Sequence, residues 1–562
     1  MRSFHLSASR VNFRAVLATL VAVAAGVQVR HFIIWSPEEL ASRGMLVDDA
    51  YFYCVIARNF RELGFLTLDG TMSTNGVQPL WMMVQILLVK LFSQTDEVSI
   101  LSSSMWASYV LFAFLSVWSV CRGRSFLPSL VAATTLSGLL ILNVRFHEIA
   151  LLGLEVPMAL SFLVMTMLSV DGLKIRYKTL NAPVTGRSCV LLSLLATCCF
   201  LSRTDLFWVT PAVGIWLYRR EGGFSSRLLW YLGFSALLVL PYMAFNLFTH
   251  DSLVPMSGRV KQFYLDAYFP TFDSYWRSDE WKGLFLAFTQ YLPLLSSLPA
   301  KACAVFTVSC MTLLVGLVFW LRGRASFSKG LIVFTLVIVC HALFMQLVYR
   351  DLRPYTRYYF APEVLWSVLV VSTMAADSCS KLRFRAATAK QTVRGVVFGT
   401  IACMMAAGSL SFAVCQWAYK RFPVKQYWTQ RIELARDFSE LVPRDSRVGA
   451  FWPGALAQFG ERPVTPLDGI VGSNRYFQEY IRREREYQYM KKNGISHIAI
   501  FLSENPLVLF ERPAPDMGRW SYAGVRKIWD MKEHFEEVVA FRGTSEHQSG
   551  AAIGWYLLKF RL

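Results

Sequence analysis

The sequence predicts an α-helical polytopic membrane protein, with about 11 transmembrane helices and a C-terminal extracytoplasmic α/β domain. Three observations predict it. The 562-residue chain is 54% hydrophobic and only 17% charged, whereas soluble domains run near 45–50% apolar and about 25% charged. Its basic residues gather in short loops between long apolar runs. Beyond residue 416 that pattern stops, and short strand-like and helix-like stretches alternate.

The first run, 13–34, follows Arg10 and Arg14. Ala22-Val23-Ala24 has the look of a signal-peptide cleavage site, but the apolar run continues to Ile34 and Trp35, which favours a retained span. Further runs fall near 101–120, 126–143, 150–170, 188–201, 205–218, 228–248, 301–320, 330–349, 359–378 and 395–416. The pair 188–201 and 205–218, split by Ser202-Arg203-Thr204-Asp205, reads as two short helices meeting at the outer surface.

Loop charge orients the chain. With the N-terminus in the cytoplasm, every short basic loop falls inside: Arg122 with Arg124, Lys174 to Arg187, Arg219 to Arg227, Arg322 to Lys329, and Lys381 to Arg394. This requires 78–93, which holds Lys90, to lie against the outer interface instead of crossing it. The outer side of the cell membrane then receives 35–100, 249–300, 350–358 and the tail. The expected division is a transmembrane part over 1–416 and an extracytoplasmic domain over 417–562. In the tail, 431–441 and 474–492 read as helical, and 447–451, 497–501 and 551–560 as strands.

The net charge of +19 raises nucleic acid as a partner. The scattering of the cations over membrane loops excludes it; the bilayer is the partner that this charge addresses. Of the 11 cysteines none follows Cys415, so the tail has no disulfide framework, and no zinc-type spacing occurs.

The first outer loop carries the chemistry. Asp48 and Asp49 precede a stretch with Phe52, Ile56, Phe60 and Leu63 at helical spacing, ended by Gly64, the pattern of an amphipathic helix in the interface. Either acid can cap this helix. Two adjacent carboxylates at a partly desolvated surface can also share one raised pKa, which suits a general base. Downstream, Asn75-Gly76 and Pro79 mark a turn that opens a second interfacial helix, with Trp81 expected at headgroup level.

An acid pair directly after the first span, a second loop helix beginning Pro79-Leu80-Trp81, many spans and an α/β tail together resemble the GT-C class of glycosyltransferases. That class includes protein O-mannosyltransferases, lipid A aminoarabinose transferases and mycobacterial arabinofuranosyltransferases. Gly153-Leu154-Glu155-Val156-Pro157, Arg203-Thr204-Asp205, Asn246 with Asp251 to Gly258, Lys261, Arg357-Tyr358-Tyr359 and Pro466 to Val471 are similar to segments of bacterial members. Asp251 stands where members often carry glycine. The resemblance implies a GT-C-like fold and an inverting transfer of sugar from a polyprenyl-phosphate donor to an extracytoplasmic acceptor. It favours Asp48, the first acid, as the base that faces the pocket, with Asp49 second.

Such a reaction needs cations for the donor phosphate. Arg203, Arg357, Arg58 and Lys261 are the candidates, with Arg259 and Arg353 also on the outer side; snorkelling at the interface is the bland alternative for each. Glu155, Asp205 and His147 are further candidates because ionisable groups at a membrane boundary are costly. Arg203 and Asp205 can also simply pair with each other. Asp48, Asp49, His147 and Glu148 could take a divalent cation, though their spacing is no ligand signature. A transporter or flippase using the same charges is the rival reading; the missing inverted repeat and the large tail speak against it.

Overall fold

A segment in lipid must satisfy its backbone polar groups internally, so long apolar runs fold as helices. The computed structural model of the chain describes residues 2–42, 45–141, 146–147, 150–178, 184–268, 329–345, 361–381, 426–502, 506, 527–528, 530–545 and 552–561. In the first 416 residues the long helices are α1 (Arg2–Gln28), α2 (Asp48–Leu63), α3 (Pro79–Leu91), α4 (Glu97–Cys121), α5 (Phe126–Leu136), α6 (Val156–Lys178), α7 (Gly186–Ser202), α8 (Val209–Glu221), α9 (Ser226–His250), α10 (Met256–Tyr268), α11 (Lys329–Phe344) and α12 (Ala361–Lys381). Among the described residues, three stretches, Glu97–Cys121, Val156–Leu173 and Ser226–His250, are long and apolar enough to cross a membrane. α1 packs on α4, α4 on α6, and α7 on both α6 and α9. The expected runs 301–320 and 395–416 lie outside the described residues, as do Arg353, Arg357 and Glu148.

The loop helices show how tertiary context overrides local pattern. α2 starts at Asp48 and stops at Gly64, whose left-handed φ of 83° lets its N–H return to the Phe60 carbonyl. Neither acid caps it; Val47 holds the cap position and both acids lie in the first turn. Phe52 and Ile56 are buried as the pattern predicts, but so is every residue from Ala50 to Ala57. A helix lying freely in the interface would leave one face wet; here the tail covers that face. α3 begins at Pro79 as expected. Trp81 is buried inside the protein, 1% exposed. It shares a buried stripe with Gln85 and Val89, and Gln85 Nε2 donates to Ser104 Oγ of α4 at 2.9 Å. Met83, Leu87 and Leu91 form the exposed stripe instead.

The described tail contains α13 (Gln426–Arg436), α14 (Gly454–Phe459), α15 (Asn474–Glu479), α16 (Glu486–Asn493) and strands β1 (Arg447–Ala450), β2 (Val464–Pro466), β3 (Ile495–Leu502), β4 (Phe535–Ser545) and β5 (Ala552–Phe560). The strands form one sheet in the order β2-β1-β3-β5-β4. β1 runs parallel to β2 and β3, and β5 antiparallel to β3 and β4. α13 packs against α14, β4 and β5.

Candidate active site

Adjacent residues on a helix point about 100° apart, and the first turn of α2 uses that angle to send its two acids to different places. Asp48 is 8% exposed and faces the tail. Its carboxylate accepts hydrogen bonds from Arg431 Nη1 at 2.6 Å and from the amides of Gly454 at 2.9 Å and Ala455 at 3.0 Å. The Trp452 amide donates to Asp468 at 3.2 Å, so two carboxylates hold the turn 452–455. A Cβ on Gly454 would stand 2.2 Å from the Asp48 carbonyl oxygen, so only glycine permits this approach. Arg431 is buried and lies over the Trp555 ring, 5.4 Å from its centroid. Breaking a buried pair of this kind by removing one partner costs about 3–5 kcal/mol.

Asp49 faces a cavity of about 690 Å³. Its side chain is 34% exposed, with Lys261 Nζ at 3.9 Å. Burial pushes its carboxyl above the ordinary range; the Lys261 charge opposes this and the neighbouring Asp48 charge adds to it. A carboxylate so tuned can accept a proton from a weakly acidic hydroxyl. The cavity has an apolar wall of Phe200, Phe207, Tyr242, Met243 and Phe344, and the tail adds Ile470, Phe477 and Arg482. Arg259, on α10, donates to Asn474 Oδ1 at 2.8 Å and lies 5.5 Å from the Phe477 ring centroid. Burial and then the positive charge of Arg482 hold its guanidinium below the usual range. Two guanidiniums lining one cavity are stabilised by an anion between them.

Glu155 also lines the cavity. Tyr53 Oη donates to its Oε2 at 3.2 Å and accepts from the Gln78 amide at 3.2 Å. Gln78 Oε1 accepts from the Thr204 amide at 3.0 Å. The loop before α3 is thus pinned to α2 and to the break between α7 and α8. At that break Arg203 is spent on Asp205: Nε to Oδ1 at 3.1 Å and Nη2 to Oδ2 at 2.6 Å. His341 Nε2 meets the same carboxylate at 3.1 Å. Asp205 lines the cavity; Arg203, behind it, does not.

The structure therefore brings Asp49, Lys261, Glu155 and Asp205 together, and turns Asp48, the acid that the resemblance favours, toward the tail. Arg58 lies elsewhere, 3.8 Å from Glu97. His147 is buried, edge-on to the Tyr109 ring at 5.4 Å. Among the described residues no group of three or more His, Cys, Asp or Glu side chains is placed to hold a metal ion. Sequence reasoning missed Arg431, Gly454 and Arg482. Arg482 stands in a charged stretch, Arg482-Arg483-Glu484-Arg485, that reads as a solvated helix face.

No protein-family profile and no curated protein matches the sequence. Solved structures do. ArnT from Cupriavidus metallidurans, solved bound to undecaprenyl phosphate, aligns over 97% of this chain and 98% of its own, with TM-score 0.52 and 13% identity. The chain has a GT-C-like fold. The apo state of the same ArnT aligns over 98% of both chains at TM-score 0.48 and 14% identity. The Archaeoglobus fulgidus oligosaccharyltransferase, solved with Zn and sulfate, aligns over 85% of this chain and 67% of its own at TM-score 0.43 and 12% identity. In this GT-C-like fold the cavity lies where the first loop, the break between α7 and α8, α10 and the tail meet.

Proposed function

We propose that the chain is an inverting glycosyltransferase that moves a sugar from a polyprenyl-phosphate donor to an extracytoplasmic acceptor. The observation that carries the proposal is the cavity wall. One tuned carboxylate, Asp49, stands beside Lys261, with Arg259 and Arg482 in the same cavity and an apolar surface running toward the membrane helices. A lipid phosphate needs that combination: cations for its head and apolar side chains for its chain.

In the proposed step Asp49 takes the proton of the acceptor hydroxyl, whose oxygen attacks the anomeric carbon opposite the phosphate. The anomeric C–O bond breaks, and its electron pair leaves on the polyprenyl phosphate. Lys261 and Arg259 pair the charge released there. Glu155 accepts hydrogen bonds from sugar hydroxyls. The cytoplasmic N-terminus and the extracytoplasmic tail over 417–562 belong to the same proposal, as does placement in the cell membrane. Its support is the similarity in fold to ArnT, whose solved structure holds undecaprenyl phosphate. The test is transfer from synthetic polyprenyl-phosphate sugars by purified protein, wild type beside Asp49→Asn. Transfer by wild type and its collapse in the variant is expected; undiminished transfer by Asp49→Asn would sink the assignment of the base.

A further inference from the structure

Asp48 stands one residue from the proposed base, yet three donors from the tail occupy its carboxylate: Arg431 and the amides of Gly454 and Ala455. A carboxylate has about four acceptor directions, and three of those of Asp48 are taken by the tail. The side chain that would obstruct this seat is missing, because residue 454 is glycine. A second contact stands at Gly76, where a Cβ would lie 2.1 Å from the Ile470 carbonyl oxygen. Tyr489 Oη adds a contact to Met72 Sδ at 3.0 Å. Between these contacts the tail supplies Ile470, Phe477 and Arg482 to the cavity.

We infer that Asp48 is a positioning residue, a latch that seats the tail on the first turn of α2 so that Asp49 and the tail's share of the cavity are held in register. This rests on the proposed reaction for its catalytic consequence, but the latch itself can be read without turnover. A shift of about 1 Å in such a frame costs on the order of 100-fold in rate.

The experiment is hydrogen exchange over 448–459 in the full chain in lipid nanodiscs, beside transfer kinetics with a synthetic polyprenyl-phosphate sugar. Asp48→Asn and Arg431→Met are each expected to raise exchange in 452–459 about tenfold and to lower kcat/KM about 100-fold. Donor KM should rise with them, because Arg482 moves with the tail. The double variant should be no worse than either single one, and Arg431→Lys should recover part of both losses. Asp49→Asn should lose turnover with exchange unchanged and donor KM near wild type. Lost turnover in Asp48→Asn with wild-type exchange would overturn the latch and make Asp48 a chemical group; wild-type behaviour in both readouts would overturn it as well. Should Asp48→Asn fail to insert, Arg431→Lys carries the test alone, with a smaller rise in exchange expected and an unchanged one overturning the latch. Were wild type to transfer no sugar, the reaction would fall while exchange still decided the latch.

Discussion

Two ionic pairs border the same cavity and differ in how completely they are closed. Arg203 grips Asp205 with two hydrogen bonds, and His341 closes the carboxylate from a third direction. Asp49 and Lys261 meet only at 3.9 Å, with the acid turned to the cavity. Both pairs sit where ionisable groups are costly. The difference teaches that such a cost does not mark a reactive group by itself. A closed pair spends its charge on holding a helix break together; an open pair leaves its carboxylate facing the cavity, as the proposed base requires.

The comparison breaks most clearly at Asp49. Asp49→Asn should lower turnover by about 10²–10⁴-fold, as loss of a positioned base typically does. In the wild type, kcat/KM should fall on the acid side at a pH above the ordinary aspartate range, because burial raises this group and only its ionised form accepts a proton. At the closed pair the loss should be one of stability. Arg203→Met leaves Asp205 buried without its guanidinium and should cost about 3–5 kcal/mol, read as a lower unfolding temperature with folded protein still active. Lys261→Met should raise donor KM about tenfold, in line with a charge-assisted hydrogen bond, and lower kcat as well, because the charge it pairs grows as the bond breaks.

A further effect is a pH slope in the tail. Burial pushes Asp468 from 3.8 up to about 7, although the amides of Ile470 and Trp452 pull the other way. The folded tail then keeps a proton that the unfolded chain releases. This group's contribution to stability is complete below about 3.8 and is lost as pH rises to about 7. Asp468→Asn should flatten the dependence of unfolding temperature on pH across that window.

Much of this frame was legible in the sequence, because the signals were local. Gly64 ended α2, Pro79 opened α3, and Ser202 to Asp205 broke α7 from α8. Three tail strands followed from apolar runs; β2 and β4 did not. β2 is only three residues long, too short for a period. In β4 the pairing shifts between Phe535 and Glu537 and again between Val538 and Ala540, which breaks the alternation that marks a strand. The choice between Asp48 and Asp49 was illegible for a different reason. It is made by Arg431 and Gly454, in a segment remote in the chain, and no spacing within 47–64 carries that information. Trp81 carries the same lesson: its burial, set by the packing of α3 on α2 and α4, could not be read from the local sequence.

The exposed row Met83, Leu87 and Leu91 has one more consequence. α3 is fastened to α2 through Lys90, which lies 4.9 Å from the Phe60 ring centroid, and through Gln78 and Tyr53. In the proposed membrane placement this row would act as a depth gauge: the level at which it meets hydrocarbon would set how far Asp49 stands from the acyl chains. Under the proposed reaction, bilayer thickness then becomes a variable of turnover, and hosts of different acyl length should set the carboxylate at different heights against the donor phosphate.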